Sequence, residues 1–377
     1  MHYFEFATAD ATLYEGEATQ SVNTGLDPII EVRKDMNNTG TVISVSRFVI
    51  KFDLGQISQS VSNGLISSDA KYYMNLYDAG SSDLPSTQTL YAYPVSQSWT
   101  MGEGTYHDNP KTTEGISWRY RHGETDATQW VSQSNDTGGT WFSGAGYEAS
   151  SSLVYETTDI RMNVTDIVGK WLDGTIANEG FMVKRSGSVG NGDSNVEEGN
   201  TTRYGQLKFF SRDTSTIYPP KLEAVWDDSS WSTGSLAPLT GSALEDTVIY
   251  FKGMREEYKQ KSKIRFRLVG RERYPAKTYS TSATDLTVKT LPSGSNTLEH
   301  GTYYSIKDAV TEDVIVPYGT GSIVSCDGTG NYFNIWMDGF QPERNYKVEI
   351  KVVTGSASSA TQIINYYDDD WTFKVTR

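Results

Sequence analysis

Four tryptophans, Trp99, Trp118, Trp130 and Trp141, fall within one Gly- and Thr-rich stretch between Gln97 and Ser152. Indole rings gathered this way can stack on the apolar faces of sugar rings, or can pack beneath a long loop and give it a core. Both readings are open at the level of sequence. The same stretch carries Asp108, Glu114, Glu124 and Asp126. A glycosidase pair is defined by its separation in space, so these carboxylates are formal candidates, although solvated surface acids are the commoner meaning of such a scatter. A second concentration of chemistry lies between Phe251 and Lys277, which holds five Lys, five Arg and three Glu in a chain of net charge −14. In KIRFRLVG, read as a strand, Ile264, Phe266 and Leu268 face inward while Lys263, Arg265 and Arg267 face out, and Arg271 and Arg273 extend the basic run. Such a face is either an interface for an acidic partner or a solvated edge that discourages strand pairing.

Other reactive constellations are missing. The four histidines, His2, His107, His122 and His300, lie in no H-E-x-x-H pattern and beside no G-x-S-x-G elbow, and no Gly-rich loop ends in Lys-Ser or Lys-Thr. Asp193 with Glu197 and Glu198 is a weak calcium candidate, and Asp368-Asp369-Asp370 alternates sides if extended, so at most two of its carboxylates share an ion. The expectation is a protein without catalysis, cofactor or metal. Cys326 is the single cysteine, which rules out an intrachain disulfide and suits folding in a reducing cytosol. It reads as a small packed residue beside a turn.

The elements that must position these residues follow from composition. The 377 residues include 24 Tyr, 9 Trp and 34 Gly, a balance that favours short strands joined by turns, so an all-β protein of two or three domains is expected. Net negative charge argues against general binding to nucleic acid. The N-terminal MHYFEFATAD shows no export signal, and no window has the apolar length of a membrane span.

Strands are expected at Phe48 to Phe52, Ala70 to Tyr77 (with Tyr72, Met74 and Leu76 on one face), Leu90 to Val95 and Phe181 to Lys184. The best helical pattern is Asn163 to Asp173, where Val164, Ile167, Val168, Trp171 and Leu172 share a face behind a Thr165 or Asn163 cap. Ser186 to Asn200 has the composition of a mobile loop. LKFFSRDTSTIYPPKLEAVWDD, Leu207 to Asp228, then sets a strand, a turn, a double proline and a closing strand in sequence. DDSSWSTGSLAPLTGS after it reads as a linker. Domains at 1–228 and 243–377, joined by 229–242, follow. Further strands at Asp285 to Leu291, Ser322 to Ser325, Phe333 to Met337, Tyr346 to Val353 and Trp371 to Val375 contribute to about seven in the second domain. That number suggests an immunoglobulin-like sandwich, with Tyr346 as a tyrosine-corner residue.

Several pieces in order carry a resemblance: ATADATLYEGE, NTGLDPIIEV, RFVIKFDLGQI, AKYYMNLYDAG, LYAYPVSQSWTMGEGTY, NVTDIVGKWLDGTIANEGFMVK and PPKLEAVWDD. Over about residues 4 to 228 the chain resembles the DNRLRE family of jelly-roll β-sandwich domains, which are related to carbohydrate-binding modules. The usual short connection before the helix is expanded here into Gly115 to Thr158, and no sugar-contacting residue aligns. The LKFFSRDTSTIYPPKLE form of the family's ending, followed by a basic immunoglobulin-like domain, is similar to virion structural proteins of tailed bacteriophages. The resemblance implies a structural subunit of a tail, neck, baseplate or head decoration, made in the host cytoplasm, located in the virion, and bound to other virion proteins in a symmetric oligomer. A carbohydrate-binding adhesin using Trp99, Trp118, Trp130 and Trp141 on a cell-surface glycan is the alternative, and a polysaccharide depolymerase a third.

Overall fold

The structure is a computed structural model. It describes residues 1–36, 42–126, 128–130, 138–154, 158–186, 197–198, 200, 202–240, 246–275, 279, 288–295, 297–298, 300–355 and 362–377. Among these, twenty strands and two short α-helices make up an all-β protein, as the aromatic and β-branched composition requires. The chain divides into two compact units. One comprises Phe4–Asn63 and Lys71–Glu223, the other Met1–Tyr3, Gly64–Ala70 and Ala224–Arg377. They are called the N-terminal and C-terminal units below.

The N-terminal unit is built from most of β1 (His2–Tyr14), β2 (Ile29–Met36), β3 (Val42–Phe52), α1 (Gly55–Ser62), β4 (Lys71–Leu76), β5 (Thr87–Pro94), β6 (Ala149–Val154), β7 (Ile160–Asn163), α2 (Thr165–Leu172), β8 (Phe181–Lys184), β9 (Gly205–Phe210) and the start of β10 (Lys221–Val225). The strands hydrogen-bond in the order β6-β5-β8-β3-β1-β10-β4-β7, with β2 joining β3 to β9. Strand β3 is the pivot, because it pairs antiparallel with β1, β2 and β8. Its alternate residues serve two interiors. Phe48, Ile50 and Phe52 are buried on one face, where Phe48 meets Phe209 at 6.1 Å between ring centroids and Phe52 meets Phe181 at 6.3 Å. Val49 and Arg47 are buried on the other, in register with Ala11 and Leu13 of β1. Each such apolar side chain removed from water contributes about 1.5–3 kcal/mol.

Helix α2 lies within the span expected of it and buries Ile167, Val168 and Trp171. Asn163 accepts the Thr165 amide at 3.1 Å, while the Thr165 hydroxyl oxygen accepts the Tyr72 amide at 2.9 Å and so ties the helix start to β4. Helix α1 has no matching sequence signal, since only Ile57 of GQISQSVS is buried. Tyr72, Met74 and Leu76 are all buried on β4, and Leu207 and Phe209 on β9, as alternation requires.

The C-terminal unit holds β11 (Thr247–Lys252), β12 (Glu257–Lys259), β13 (Lys263–Glu272), β14 (Gly301–Asp308), β15 (Val314–Val316), β16 (Ser325–Asp327), β17 (Gly330–Trp336), β18 (Asn345–Thr354), β19 (Ile363–Tyr367) and β20 (Thr372–Thr376). A four-stranded sheet, β11-β13-β17-β16, faces a six-stranded one, β12-β20-β18-β14-β15 with β19 on β18. Stacked rings fill the space between them: Tyr304 on Phe333 at 4.1 Å and Phe266 on Phe333 at 5.4 Å. Tyr346 is buried and donates its hydroxyl to the Gln341 carbonyl at 3.0 Å, which is the bond a tyrosine corner makes to upstream backbone.

Two features differ from the sequence reading. The described part of the expected linker is bonded into the C-terminal unit: Trp231 bridges Cys326, Pro238 bridges Thr290, and the Ser232 and Leu239 amides donate to the Cys326 and Thr290 carbonyls. Its Ser, Gly and Pro content reflects turns between those attachments. Among its described residues the unit also has ten strands where about seven were expected. The additional ones include β14, which is buried on both faces and so lacks the alternation that betrays a strand. Of the strand expected at Asp285 to Leu291, residues 285–287 lie outside the described set, and Lys289 and Thr290 form isolated bridges.

Candidate interaction surfaces

The tryptophan-rich segment lies over the outer face of the β1-β3-β8 sheet. Trp118 and Trp130 are buried in one cluster with Ala11, Leu13, Val45, Val49, Val95, Ile116 and Met182, and Trp99 and Trp141 pack against it half-buried. All four indoles are therefore brought together, as the inside of a cover. The segment is pinned by Asn23, whose side-chain amide donates to the carbonyls of Met101 at 2.6 Å and Ile116 at 2.8 Å. Two indole N–H groups are spent on backbone, Trp130 on Ser117 at 3.0 Å and Trp99 on Glu179 at 2.8 Å. Gly138 and Gly139, both at positive φ, let the chain lie against this core; a Cβ on Gly138 would stand 2.6 Å from the Trp118 ring, and one on Gly139 would overlap the Met182 methyl.

Beneath the cover is a cluster of charge that sequence spacing did not suggest. Arg47 is fully buried, binds both carboxylate oxygens of Glu198 at 3.0 and 2.8 Å, and donates to the Gly138 carbonyl at 2.8 Å. Its guanidinium lies 4.6 Å from the Trp118 ring and 5.2 Å from that of Trp141. Lys184, also buried, reaches Glu198 at 3.1 Å and stands 5.0 Å from the Trp141 ring. Close by, Arg185 donates to the Tyr204 carbonyl at 2.9 Å and faces Glu197 at 3.8 Å, and burial lowers it to about 10. Lys34 donates to the Asn200 carbonyl at 2.6 Å, and burial lowers its ammonium to about 8. Glu198 is thus held by cations, which removes it from the calcium set suggested with Glu197 and Asp193; Asp193 is outside the described residues. The four cations come from positions 34, 47, 184 and 185, too dispersed to stand out in sequence.

The basic run of the C-terminal unit is a surface. Lys263 and Arg265 are exposed and Arg267 half-exposed on β13, while Phe266 and Leu268 are buried behind them, as expected. Cross-strand neighbours on β17 are Trp336, Asn334 and Tyr332 respectively. Each cation rests on a ring: Lys263 lies 5.0 Å from Trp336, and Arg265 and Arg267 lie 4.2 and 5.3 Å from Tyr332. Arg267 donates to Asp327 at 2.7 Å, and this bond holds the Asp327 carboxyl well below the usual range. Arg271 donates to the Glu272 carbonyl at 3.1 Å farther along β13, and Arg273 is exposed beyond the strand, so neither joins the ring-backed row. Tyr250 of β11 is exposed on the same sheet.

Several of the remaining candidates have structural occupations, while Glu124, Asp126 and Asp369 are exposed. Asp108 accepts bonds from the Thr105 amide and hydroxyl and from Thr112, and these keep its carboxyl low. Glu114 accepts the Thr125 hydroxyl. Asp368 pairs with Lys347 at 2.7 Å. Cys326 is buried in β16 and its thiol is pushed up to about 11 by burial. Among the described residues no group of three or more His, Cys, Asp or Glu is arranged to hold a metal, and no helix is long and apolar enough to cross a membrane.

No known protein family matches this chain, and neither does any curated protein. Among solved structures it is similar to a DUF4785 family protein from Legionella pneumophila, at 9% identity and a TM-score of 0.19, over 97% of this chain and 68% of that one. A score that low carries no argument about fold or function.

Proposed function

We propose that the chain is a non-enzymatic structural component of a tailed-phage virion, in the tail, neck, baseplate or head decoration, acting through protein–protein contacts within a symmetric assembly. The observation that carries the reading is the row of Lys263, Arg265 and Arg267, each backed by Trp336 or Tyr332. Cations already resting on rings lose little side-chain freedom on docking, and an exposed basic row on an otherwise acidic protein selects an acidic neighbour. The resemblance of the LKFFSRDTSTIYPPKLE ending and the basic domain after it to virion structural proteins of tailed bacteriophages adds the phage context. A glycan platform at the four tryptophans has no support in their placement, because Trp118 and Trp130 are buried and Trp141 faces Arg47 and Lys184.

Two measurements test the reading. Mass spectrometry of purified particles from the parent phage should find the chain at a stoichiometry matching a symmetric ring or lattice; particles that lack it end the proposal. In complementation, a chain carrying Arg265→Glu and Arg267→Glu should fold normally yet be left out of particles.

A further inference from the structure

The N-terminal unit has a cavity of about 270 Å³ on the outer face of β2 and β9, closed at one side by the segment around Tyr106. This volume lies at the small end of ligand sites and suits one compact polar molecule. Glu31 and Arg33 project from β2 opposite Lys208 and Gln206 of β9. Tyr14 and Tyr106 form an aromatic wall, with ring centroids 4.7 Å apart. Asp27 stands at the rim, its two oxygens accepting the Tyr106 amide at 3.1 and 3.2 Å. Both Asp27 and Glu31 are nine-tenths buried, and burial is the largest influence on each, raising its carboxyl.

We infer that this cavity is a binding site for a single neutral sugar residue, a monosaccharide or the end of an oligosaccharide. The chemistry of the lining decides the class. Asp27 and Glu31 already accept the Tyr106 amide and the Tyr14 hydroxyl, and their remaining lone pairs are acceptors for the hydroxyls of a sugar, while the Lys208 ammonium and the Gln206 amide are donors for its ring and hydroxyl oxygens. A tyrosine wall meets the C–H face of such a ring, the part that water solvates least. An anion is disfavoured by Asp27 and Glu31. A simple cation leaves the rings and the donors without a role. Arg33 is engaged by Asp35 at 2.7 Å, which leaves Asp27 and Glu31 facing Lys208 and so one negative charge in excess, a lining that does not hold an anion. The site is separate from the tryptophan segment's core and from the basic row, and it stands whether or not the chain belongs to a virion.

The test is ligand-observed NMR on the full chain with D-glucose, D-galactose, D-mannose, L-fucose, L-rhamnose, N-acetyl-D-glucosamine and N-acetyl-D-galactosamine, each alone. Sodium D-glucuronate and calcium chloride serve as separate probes. Saturation transfer to at least one neutral sugar is expected, with affinity reduced roughly tenfold or more by Tyr106→Ala and by Glu31→Gln and unchanged by Arg265→Glu. Gln206→Ala, at a half-exposed position, keeps the site testable if either variant fails to fold. Transfer to none of the neutral sugars, transfer that all three cavity variants leave intact, or a response to glucuronate or calcium alone overturns the assignment.

Discussion

Of the cations that rest on aromatic rings in this protein, those beneath the tryptophan cover and those on β13 differ in almost everything else. Arg47 and Lys184 are buried under the tryptophan cover, and both close on the single carboxylate of Glu198. Lys263, Arg265 and Arg267 stand on an open sheet face, where Asp327 engages Arg267 at 2.7 Å and Arg265 only at 3.8 Å. Burial turns the first group into structure: once a charge is removed from water its partner is obligatory, and loss of that partner strands it. Exposure leaves the second group free to recognise something, since water already solvates the charges and their mutual contacts are worth little. Lysine and arginine over aromatic rings therefore hold one unit together and, in the other, leave a charged face open to water.

The sharpest way to break this comparison is Glu198→Ala. Removal of the carboxylate takes from Arg47 and Lys184 the acceptor they share in a buried site, and a loss of about 3–5 kcal/mol is expected in chemical denaturation of the N-terminal unit. A loss below about 1 kcal/mol would show that the cluster is solvated after all. Trp118→Ala should cost roughly 3 kcal/mol or more, because it empties the core of the cover and removes the ring beneath Arg47; near-neutral behaviour would mean that the segment is loosely attached.

A buried carboxyl that lacks a cation on its own side chain sharpens the contrast. Asp10 accepts the Arg212 amide at 2.7 Å through one oxygen, its other oxygen has no partner, and burial raises it to about 7. Because the folded state holds this proton up to about pH 7 while the unfolded chain releases it near the ordinary aspartate value of about 4, the folded state binds more protons between those limits. Stability should fall as pH rises from about 4 to about 7 and level off above that. Asp10→Asn should flatten that slope and raise the melting temperature at pH 8 by several degrees, as read by calorimetry. The smallest effect belongs to the open face: Arg267→Ala should change stability by about 0–1 kcal/mol, and 0.5 M NaCl should erase the difference.

Legibility in the sequence followed the pattern of exposure. The strand KIRFRLVG could be assigned face by face because one side meets water and the other does not, and helix α2 declared itself by its apolar stripe. Strands β3 and β14 are buried on both sides, so β3 was seen only in part and β14 not at all. The basic row was visible because its members are two residues apart along one strand. The Glu198 cluster was invisible because it is assembled from β2, β3, β8 and the residues after β8, and nothing in residue spacing reports a meeting across strands. The cavity at Tyr14, Glu31 and Tyr106 was missed for the same reason. The tryptophans were noticed, and their choice between platform and core turned on burial, which spacing does not encode.

The cover has one more consequence, for how the chain can be cut or expressed. The interval between β5 and β6 looks dispensable, a long insertion between two strands, yet Ile116, Trp118 and Trp130 within it share one buried cluster with Val49 and Met182. A chain shortened across that interval would present an apolar strip along β1, β3 and β8, of the kind that draws unfolded and half-folded copies into aggregates. The shortened protein should emerge in inclusion bodies while the full chain stays in solution. What resembles an ornament on the sandwich is a condition of its solubility.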